Sequence, residues 1–283
     1  MTDLSHIRHG ALADKVMSAE EAAGLIEPGS NVGMSGFTGA GYPKAVPTAL
    51  ARRITEASAR GEHFKVGVWT GASTAPELDG ALASVDGIDL RMPYQSDPVS
   101  RTKINAGHMD YLDVHLSHVA QMVWQGYFGH LGIALVEVAG ITDDGDLIPS
   151  SSVGNNKTWI DQAERVILEV NSWQPIELEG MHDIYYGTAL PPDRKPIQIV
   201  RPRRPDRRAV FPLPAGEDRG RRADPQPRPQ LACQAARHRL GAQPRSSGGL
   251  PVATGQAWPA AGDVAAAAVW GGQYRKCRAG RTG

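Results

Sequence analysis

The run IALVEVAGI at positions 133–141 constrains the fold of this chain more than any other stretch. Every residue in it is apolar or glycine except Glu137. A strand with one face in water alternates polar and apolar residues, whereas a strand covered on both faces is apolar almost throughout. The run therefore predicts a central strand in a sheet that carries helices on both faces.

Other apolar segments alternate along the chain with segments of helical periodicity. In residues 42–61, Val46, Leu50 and Ile54 recur on one helix face, and Gly61 follows as a residue suited to end the helix. The predicted strands are 31–37, 64–71, 133–141 and 166–170, and the predicted helices are 18–26, 42–61, 75–83 and one within residues 152–165. This alternation predicts an α/β domain built on a doubly wound, mostly parallel sheet.

Two helix starts carry capping signals. Ser18 is followed three residues later by Glu21, which is the pattern of a capping box. Ser96 or Asp97 stands just before Pro98, where an N-cap residue is expected.

The charge is divided unevenly along the chain, although the total is zero. Residues 1–202 contain 15 basic and 25 acidic residues, a net charge of −10, whereas residues 203–283 contain 15 basic and 5 acidic residues, a net charge of +10. The two cysteines, Cys233 and Cys277, suggest no disulfide framework. There is no signal-peptide pattern and no apolar run of about 18 residues, so we expect a cytoplasmic protein without a membrane segment.

The sequence GFTGAG at 36–41 lies where a predicted strand leads into a predicted helix. Such a turn can bring backbone N–H groups close to an anion at a helix N-terminus, or it can simply be a tight turn that requires small residues. Its spacing, G-x-x-G-x-G, differs from the dinucleotide-binding fingerprint G-x-G-x-x-G. A dinucleotide enzyme is therefore disfavoured, and the turn is a candidate ligand contact.

The sequence TGASTAPE at 70–77 follows the next predicted strand in the same way. Ser73 and Thr74 would lie beyond the carboxyl end of a strand, where open α/β sheets bind ligands. One of the two hydroxyls could also cap the helix that begins near Pro76, and both roles can hold together. Both roles remain open from the sequence.

Three histidines lie close together in the sequence HMDYLDVHLSH at 108–118. His115 and His118 are three residues apart and could share a helix face. A zinc site requires three or four converging ligands, and no H-E-x-x-H or paired-cysteine pattern is present. We expect no metal site here, and no Ser-His-Asp or Cys-His signature of nucleophilic catalysis is visible.

Five ordered blocks between residues 10 and 202 resemble the acetyl-CoA hydrolase/transferase family, and in particular its succinyl-CoA:acetate CoA-transferase branch. The blocks are GMSGFTGAGYPKAVPTALA (33–51), TGASTAPELDG (70–80), INAGHMDYLDVHLSHVA (104–120), IALVEVAGITDDGDLIPSSSVGNNKTW (133–159), and AERVILEVN (163–171) with LEGMHDIYYG (178–187). Five blocks in order are far more specific than one glycine motif.

The resemblance implies a fold shared with sugar-phosphate isomerase-like CoA-transferases, built from two related domains and assembled as a homodimer. It implies transfer of CoA between an acyl-CoA and a small carboxylate such as acetate or succinate. Coenzyme A is then a substrate, and neither a cofactor nor a specific nucleic acid is expected. In the family a glutamate of the second domain attacks the thioester, and a glutamyl-CoA intermediate follows.

No glutamate of this chain aligns with that nucleophile, so the resemblance assigns no catalytic residue here. The matched part supplies one side of the cleft. The resemblance and the strand-end positions together predict that six residues line and polarise the acyl or carboxylate pocket: Gly36, Phe37, Thr38, Gly39, Ser73 and Thr74.

The family pattern stops at Arg201–Pro202, and the composition changes there. Residues 203–283 are rich in Arg and Pro and contain no Ile, Asn or Met. The terminal AAVWGGQYRKCRAGRTG (267–283) is compatible with codons that, shifted by one base, encode LQSGVGNIANAVLAGL, which resembles a family segment. Residues 204–224 likewise become DRIGEPYFRCPPGKIVAVVL, the continuation expected for the family. We interpret 1–202 as an incomplete CoA-transferase N-terminal domain and 203–283 as an out-of-frame, disordered tail.

Two hypotheses of different class follow. The chain is either a truncated and inactive piece of a CoA-transferase or acetyl-CoA hydrolase, or a non-catalytic module that binds CoA or another small molecule and carries a basic interaction tail. A tail that resists proteolysis, or tight CoA binding by the intact chain, would favour the second hypothesis.

Overall fold

The computed structural model describes residues 4–185 together with residues 192, 194, 210, 211, 233–235 and 266–270. Its helices are α1 Gly10–Ala13, α2 Ala19–Gly24, α3 Ala45–Ala59, α4 Ala81–Ser84, α5 Pro98–Asn105, α6 Leu116–Trp124 and α7 Asn156–Gln162, with a π-helical turn at Pro76–Gly80 and a 3-10 turn at Ile176–Leu178. Its strands are β1 Asn31–Met34, β2 Val66–Trp69, β3 Ile88–Met92, β4 Asp110–Tyr111, β5 Ile133–Ile141, β6 Leu147–Pro149, β7 Arg165–Val170, β8 Cys233–Ala235 and β9 Ala266–Trp270.

All the described strands belong to one sheet, in the order β4-β3-β2-β1-β5-β7-β8, with β6 paired to β5 and β9 paired to β7. From β4 to β8 every neighbouring pair in this order is parallel, whereas β6 and β9 run antiparallel to their partners. The chain starts at β1, moves outward to β4, and returns to β5 on the other side of β1. The order of the strands therefore reverses between β1 and β5, where a ligand crevice forms in sheets of this type.

Helices cover both faces of the sheet, as the apolar character of β5 predicts. All nine residues of β5 are buried. Leu135 packs with α2, α3 and α4 on one face, whereas its neighbours Ala134 and Val136 pack with α6 and α7 on the other. The predicted α/β class with a doubly wound, mostly parallel sheet is confirmed.

Both predicted caps are present. The Ser18 side chain accepts from the Glu21 backbone N–H, and the Glu21 carboxylate accepts from the Ser18 N–H, which completes the capping box of α2. Asp97, rather than Ser96, caps α5 by accepting from the Ser100 N–H.

Helix α3 begins at Ala45, three residues later than the sequence pattern predicted. Gly41 has φ +62°, outside the helical range, and Tyr42 precedes Pro43, which disfavours helical backbone at Tyr42. Pro47 lies in the first turn of α3, where its missing N–H removes no helical hydrogen bond. The segment between β1 and α3 is therefore a longer loop than predicted.

The sequence analysis missed α1, β3, β4, β6 and α6, and it assigned no strand to the segments that form β8 and β9. Strand β3, IDLRM, alternates apolar and polar residues, which is a strand pattern that was overlooked, whereas β4 is only two residues long and has no clear pattern. No helix in the described part of the chain is long and apolar enough to cross a membrane.

Beyond residue 202 the structure describes only short pieces. Strand β8 runs parallel to the second half of β7, β9 runs antiparallel to its first half, and Phe211 forms a bridge with Leu147. Most of the segment 203–283 lies outside the described residues, so both the domain boundary at residue 202 and the disordered tail stay predictions.

Candidate functional site

Three loops meet at the carboxyl ends of the central strands. We call them the glycine turn (residues 36–41, after β1), the β2 loop (residues 70–75, after β2) and the β6 loop (residues 150–155, after β6). They lie beside the reversal of strand order between β1 and β5, which is where the topology favours a ligand site.

Short hydrogen bonds hold the three loops together. The Thr38 N–H donates to the Ser73 carbonyl at 2.8 Å, which joins the glycine turn to the β2 loop. The Ser152 hydroxyl donates to the Ala40 carbonyl at 3.0 Å, which joins the glycine turn to the β6 loop. The loops therefore form one continuous surface.

The glycines in this region are required by conformation and by space. Gly36 has φ +125°, and a Cβ there would lie 2.7 Å from the Tyr42 Cβ and 2.9 Å from the Thr74 Cγ2. A Cβ on Gly71 would lie 2.8 Å from the Gly36 carbonyl oxygen. The glycines thus let the glycine turn and the β2 loop pack closely against each other.

The four predicted residues of the glycine turn differ in their exposure. Phe37 is 42% exposed, although it is large and apolar. Thr38 has φ +46°, an unusual conformation for a residue with a side chain, and Gly39 has φ +83° with open space where a Cβ would lie. Phe37, Thr38 and Gly39 are all exposed and are accessible to a ligand, whereas Gly36 is buried beneath them.

The two predicted hydroxyls of the β2 loop are hydrogen-bonded inside the protein. The fully buried Ser73 hydroxyl lies 2.7 Å from the Gln95 Oε1, and the Thr74 hydroxyl donates to the Asp79 Oδ2 at 2.8 Å. The capping alternative is wrong, because Ala75 is the N-cap residue of the π-helical turn and makes no side-chain cap bond. The role of Ser73 and Thr74 as ligand contacts stays a prediction.

A buried ion pair fixes the β2 loop from below. Arg91 and Asp79 are both fully buried, and the Arg91 Nε donates to the Asp79 Oδ1 at 2.8 Å. Burial alone would raise the pKa of Asp79, but the Arg91 guanidinium and the hydrogen bonds from Thr74 outweigh it and hold the pKa below its usual value. Asp79 therefore acts as an ionised anchor for the loop.

The N-terminus of α3, directly after the glycine turn, already holds an anion. The buried Glu169 carboxylate, on β7, accepts from the backbone N–H groups of Lys44 at 2.6 Å, Ala45 at 3.1 Å and Val46 at 3.1 Å. Burial raises the pKa of Glu169, with the positive charge of Lys44 and the N–H donors opposing that effect. These N–H groups are occupied, so they are not the anion site that the turn suggested.

A second buried glutamate lies beside the first. Glu137 is opposite Glu169 in the β5–β7 pairing, and its Oε2 accepts from the Lys44 Nζ at 2.5 Å and from the Asn171 Nδ2 at 3.2 Å. The Lys44 ammonium also lies 4.0 Å from the centre of the Tyr42 ring. Lys44 thus links the loop that precedes α3 to the centre of the sheet.

The sequence analysis missed this cluster, although it left a signal. Glu137 and Glu169 are charged residues within buried apolar strands, and a charge in a strand buried on both faces needs a partner. The sequence could have flagged both glutamates, but not Lys44 as the partner.

Two histidines of the segment 108–118 contact each other at the start of α6. The rings of His115 and His118 lie 5.6 Å apart, with His115 at the N-cap of α6. Within the described residues, no three His, Cys, Asp or Glu side chains are grouped so that they could hold a metal ion.

The family model of the acetyl-CoA hydrolase/transferase N-terminal domain matches residues 7–189. The chain belongs to the acetyl-CoA hydrolase/transferase family. The predicted family and its succinyl-CoA:acetate CoA-transferase branch are confirmed, and the three loops above lie within the matched domain.

Curated members of the family show how similar the chain is to characterised proteins. It is 46% identical over 194 residues to the succinyl-CoA:acetate CoA-transferase of Clostridium kluyveri, covering 69% of this chain and 35% of that protein. It is 39% identical over 183 residues to the propanoyl-CoA:succinate CoA transferase of Escherichia coli, covering 65% of this chain and 37% of that protein. It is 36% identical over 203 residues to the acetyl-CoA hydrolase of Yarrowia lipolytica, covering 69% of this chain and 38% of that protein.

These alignments leave most of each relative unmatched. The chain spans between 35% and 38% of the length of the three relatives. Both transferases and hydrolases are among them, so the family alone does not fix whether the thioester is passed to a carboxylate or to water.

Proposed function

We propose that the described domain is the N-terminal lobe of an enzyme that moves CoA between an acyl-CoA and a small carboxylate, with succinyl-CoA or acetyl-CoA as donor and acetate or succinate as acceptor. The observation that carries the proposal is the 46% identity to a succinyl-CoA:acetate CoA-transferase. The three loops at the strand ends would supply one wall of the substrate cleft.

We further propose that this chain does not catalyse transfer on its own. Three glutamates lie close to the loops: Glu137 and Glu169 are buried and hydrogen-bonded, and Glu77 accepts from the Tyr42 hydroxyl at 3.1 Å. A carboxylate nucleophile must reach the thioester carbonyl with a free oxygen. Glu169 uses both oxygens, and the unpartnered Oε1 of Glu137 is buried, so neither reaches a thioester, whereas Glu77 is only part-buried. We assign the nucleophile to a second lobe because the family resemblance places it beyond the matched region.

The chemistry proposed for the complete enzyme proceeds through a glutamyl-CoA thioester. The glutamate carboxylate attacks the carbonyl of the acyl thioester, the C–S bond breaks, and the CoA thiolate leaves, which forms an acyl-glutamyl anhydride. The thiolate then attacks the glutamyl carbonyl, which releases the first carboxylate and forms glutamyl-CoA. The acceptor acid reverses these steps, and hydrogen-bond donors in the cleft stabilise each oxyanion.

The out-of-frame interpretation of residues 203–283 belongs to the same proposal. It rests on two separate stretches of the tail, 204–224 and 267–283, whose codons are compatible with family-like sequence after the same one-base shift. Sequencing of the gene around codons 200–205 tests it directly. A reading that contains no misplaced base would contradict it.

An activity assay tests the proposed function. The 283-residue chain and a frame-restored version are each incubated with succinyl-CoA and ¹³C-labelled acetate, and labelled acetyl-CoA is measured by mass spectrometry. We expect labelled acetyl-CoA only from the frame-restored protein. Release of free CoA without labelled acetyl-CoA would instead favour a hydrolase, as in the Yarrowia relative.

A further inference from the structure

Strand β7 has an outer edge, opposite the edge that pairs with β5. Every residue of β7 except Arg165 is buried, and the strand contains neither Pro nor Lys. Natural edge strands are usually short, or carry Lys, Pro or a bulge, and these features prevent them from pairing with another chain. Strand β7 is six residues long and pairs with β5 without a shift in register, so it has the character of an interior strand. Its outer edge therefore needs a neighbour.

The hydrogen bonds on the β5 side reveal which backbone groups of β7 face its outer edge. The N–H groups of Arg165 and Asn171 both donate to carbonyls on the β5 side, at 3.1 Å and 2.8 Å. Successive residues of a strand direct their N–H and C=O groups to opposite sides. The groups that point to the outer edge therefore belong to Val166, Leu168 and Val170.

Two short segments of the chain occupy this outer edge, and they run in opposite directions. Strand β8 pairs in parallel with the second half of β7, and β9 pairs antiparallel with the first half. In the β9 pairing, Val166 lies opposite Val269 and Ile167 lies opposite Ala268. One strand thus has a parallel and an antiparallel neighbour on the same edge, which shows that the edge accepts a partner in either direction.

The pairing of β9 with β7 does not require a particular side-chain sequence. Strand β9, AAAVW, contains three alanines among its five residues, and a strand pairs with its neighbour through the main chain. Main-chain hydrogen bonds supply the affinity when an extended peptide adds to the edge of a sheet. Strand β9 can therefore cover the edge whether or not the tail is read in its original frame.

We propose that the outer edge of β7 is a strand-addition surface. The chain closes this surface with its own residues Ala266–Trp270, and a chain in which that segment cannot pair binds a second copy through the same edge. An uncovered edge presents a row of unpaired N–H and C=O groups, which is a template for pairing with another chain. The inference is independent of the proposed function, since it concerns backbone pairing at the side of the sheet and not the loops at the carboxyl ends of the strands.

Two proline variants of β9 differ in where the lost N–H group points. Val269 lies opposite Val166, whose backbone groups face outward, so these two residues form a hydrogen-bonded pair. Ala268 is the preceding residue, and its N–H points away from β7. Val269→Pro therefore removes a hydrogen bond to β7, whereas Ala268→Pro, the matched control, places the same ring in the same strand without removing one. A chain that ends at residue 265 is a second test variant, and circular dichroism verifies that each protein is folded.

Amide hydrogen exchange of the 283-residue chain, in dilute protein, measures whether β9 covers the edge. We expect the Val166 N–H to exchange about tenfold faster or more in Val269→Pro than in wild type, and at the wild-type rate in Ala268→Pro. The Ile167 N–H points toward β5 and is the internal reference, which should stay protected in all three proteins. Equal exchange of the Val166 N–H in wild type and Val269→Pro overturns the assignment of β9 as the cover.

Light scattering at increasing protein concentration measures whether a second copy binds at the edge. We expect Val269→Pro and the chain ending at residue 265 to reach a larger mass than wild type, while Ala268→Pro keeps the wild-type mass. An excess of the peptide VAAAAVWGG, residues 264–272, should restore the wild-type mass and the slow exchange of the Val166 N–H, whereas the same peptide with Pro in place of Val269 should do neither. A wild-type mass for Val269→Pro at every concentration, or equal effects of the two peptides, overturns the proposal.

Discussion

The glycine turn and the β2 loop follow neighbouring strands, yet they present different chemistry. The glycine turn exposes Phe37, Thr38 and Gly39 at its tip. The β2 loop instead turns its hydroxyls inward, toward Gln95 and Asp79. One loop offers exposed backbone and an aromatic side chain to a ligand, whereas the other is a rigid support.

A polar residue at the end of a strand is therefore not always available to a ligand. Ser73 and Thr74 are predicted on the same grounds as the glycine turn, but each is committed to a partner that lies later in the chain. Arg91→Leu and Gly36→Ala each disrupt one of the two loops, Glu169→Gln tests the carboxylate at the start of α3, and Phe37→Ala tests the exposed tip of the glycine turn.

The largest effect is expected from breaking the support of the β2 loop. Arg91→Leu leaves the Asp79 carboxylate buried without its partner, which should lower the free energy of unfolding by about 3–5 kcal/mol. Urea unfolding followed by circular dichroism measures the change. Lys103→Ala, which breaks the more exposed pair with Asp86, is the control and should cost less than about 1 kcal/mol. Similar losses in both variants would show that the buried pair is not what fixes the loop.

A smaller effect is expected from the base of the glycine turn. Gly36→Ala forces a methyl group against Tyr42 and Thr74 at a backbone angle that side chains rarely adopt, so it should cost about 2–3 kcal/mol. Gly39→Ala also has a positive φ but open space around it, and about 1 kcal/mol is expected. Thermal unfolding compares the two variants. A Gly39→Ala loss equal to that of Gly36→Ala would mean that space plays no part.

The Glu169 carboxylate at the start of α3 should make the free energy of unfolding depend on pH. Burial raises the pKa of Glu169 above its ordinary value of 4.5, so the folded state holds the proton more tightly than the unfolded state. The stability from this group is fully present below pH 4.5 and declines as the pH rises through the raised pKa. We expect wild type to lose stability relative to Glu169→Gln across that window, measured by urea unfolding at successive pH values.

Glu56→Gln, an exposed change on the same helix, controls for the removal of a negative charge. A stability difference between wild type and Glu169→Gln that stays constant with pH, or that changes in the opposite direction, would contradict the raised pKa.

The smallest effect on stability is expected at the tip of the glycine turn. Phe37→Ala removes a side chain that is 42% exposed, so the free energy of unfolding should change by less than about 0.5 kcal/mol. When ¹³C-acetate is titrated against the protein and followed by NMR, we expect Phe37→Ala to lower the free energy of binding more than it lowers the free energy of unfolding. A decrease of several kcal/mol in the free energy of unfolding would show that Phe37 stabilises the fold and is not simply an exposed residue of the turn.

Much of the scaffold could be predicted from the sequence. The apolar run at 133–141 became β5 with the same bounds, and the capping box at Ser18 and Glu21 formed as predicted. These features depend on residues a few positions apart, so local patterns are sufficient. Strand β3 alternates apolar and polar residues and could have been predicted, but the alternation does not reveal that Arg91 is buried, which depends on its pairing with Asp79.

The sequence by itself determined the fold class, the positions of the glycine-rich turn and of the β2 loop, and the family to which the matched domain belongs. Tertiary structure decided which groups at those loops are free to act. The Glu169 carboxylate accepts from the N-terminus of α3, 124 residues away in the sequence, and the Gln95 amide oxygen accepts from the Ser73 hydroxyl, 22 residues away. The periodicity of a sequence indicates only which face of an element is buried. Hydrogen-bond partners far apart in the sequence depend on which strands are neighbours in the folded sheet.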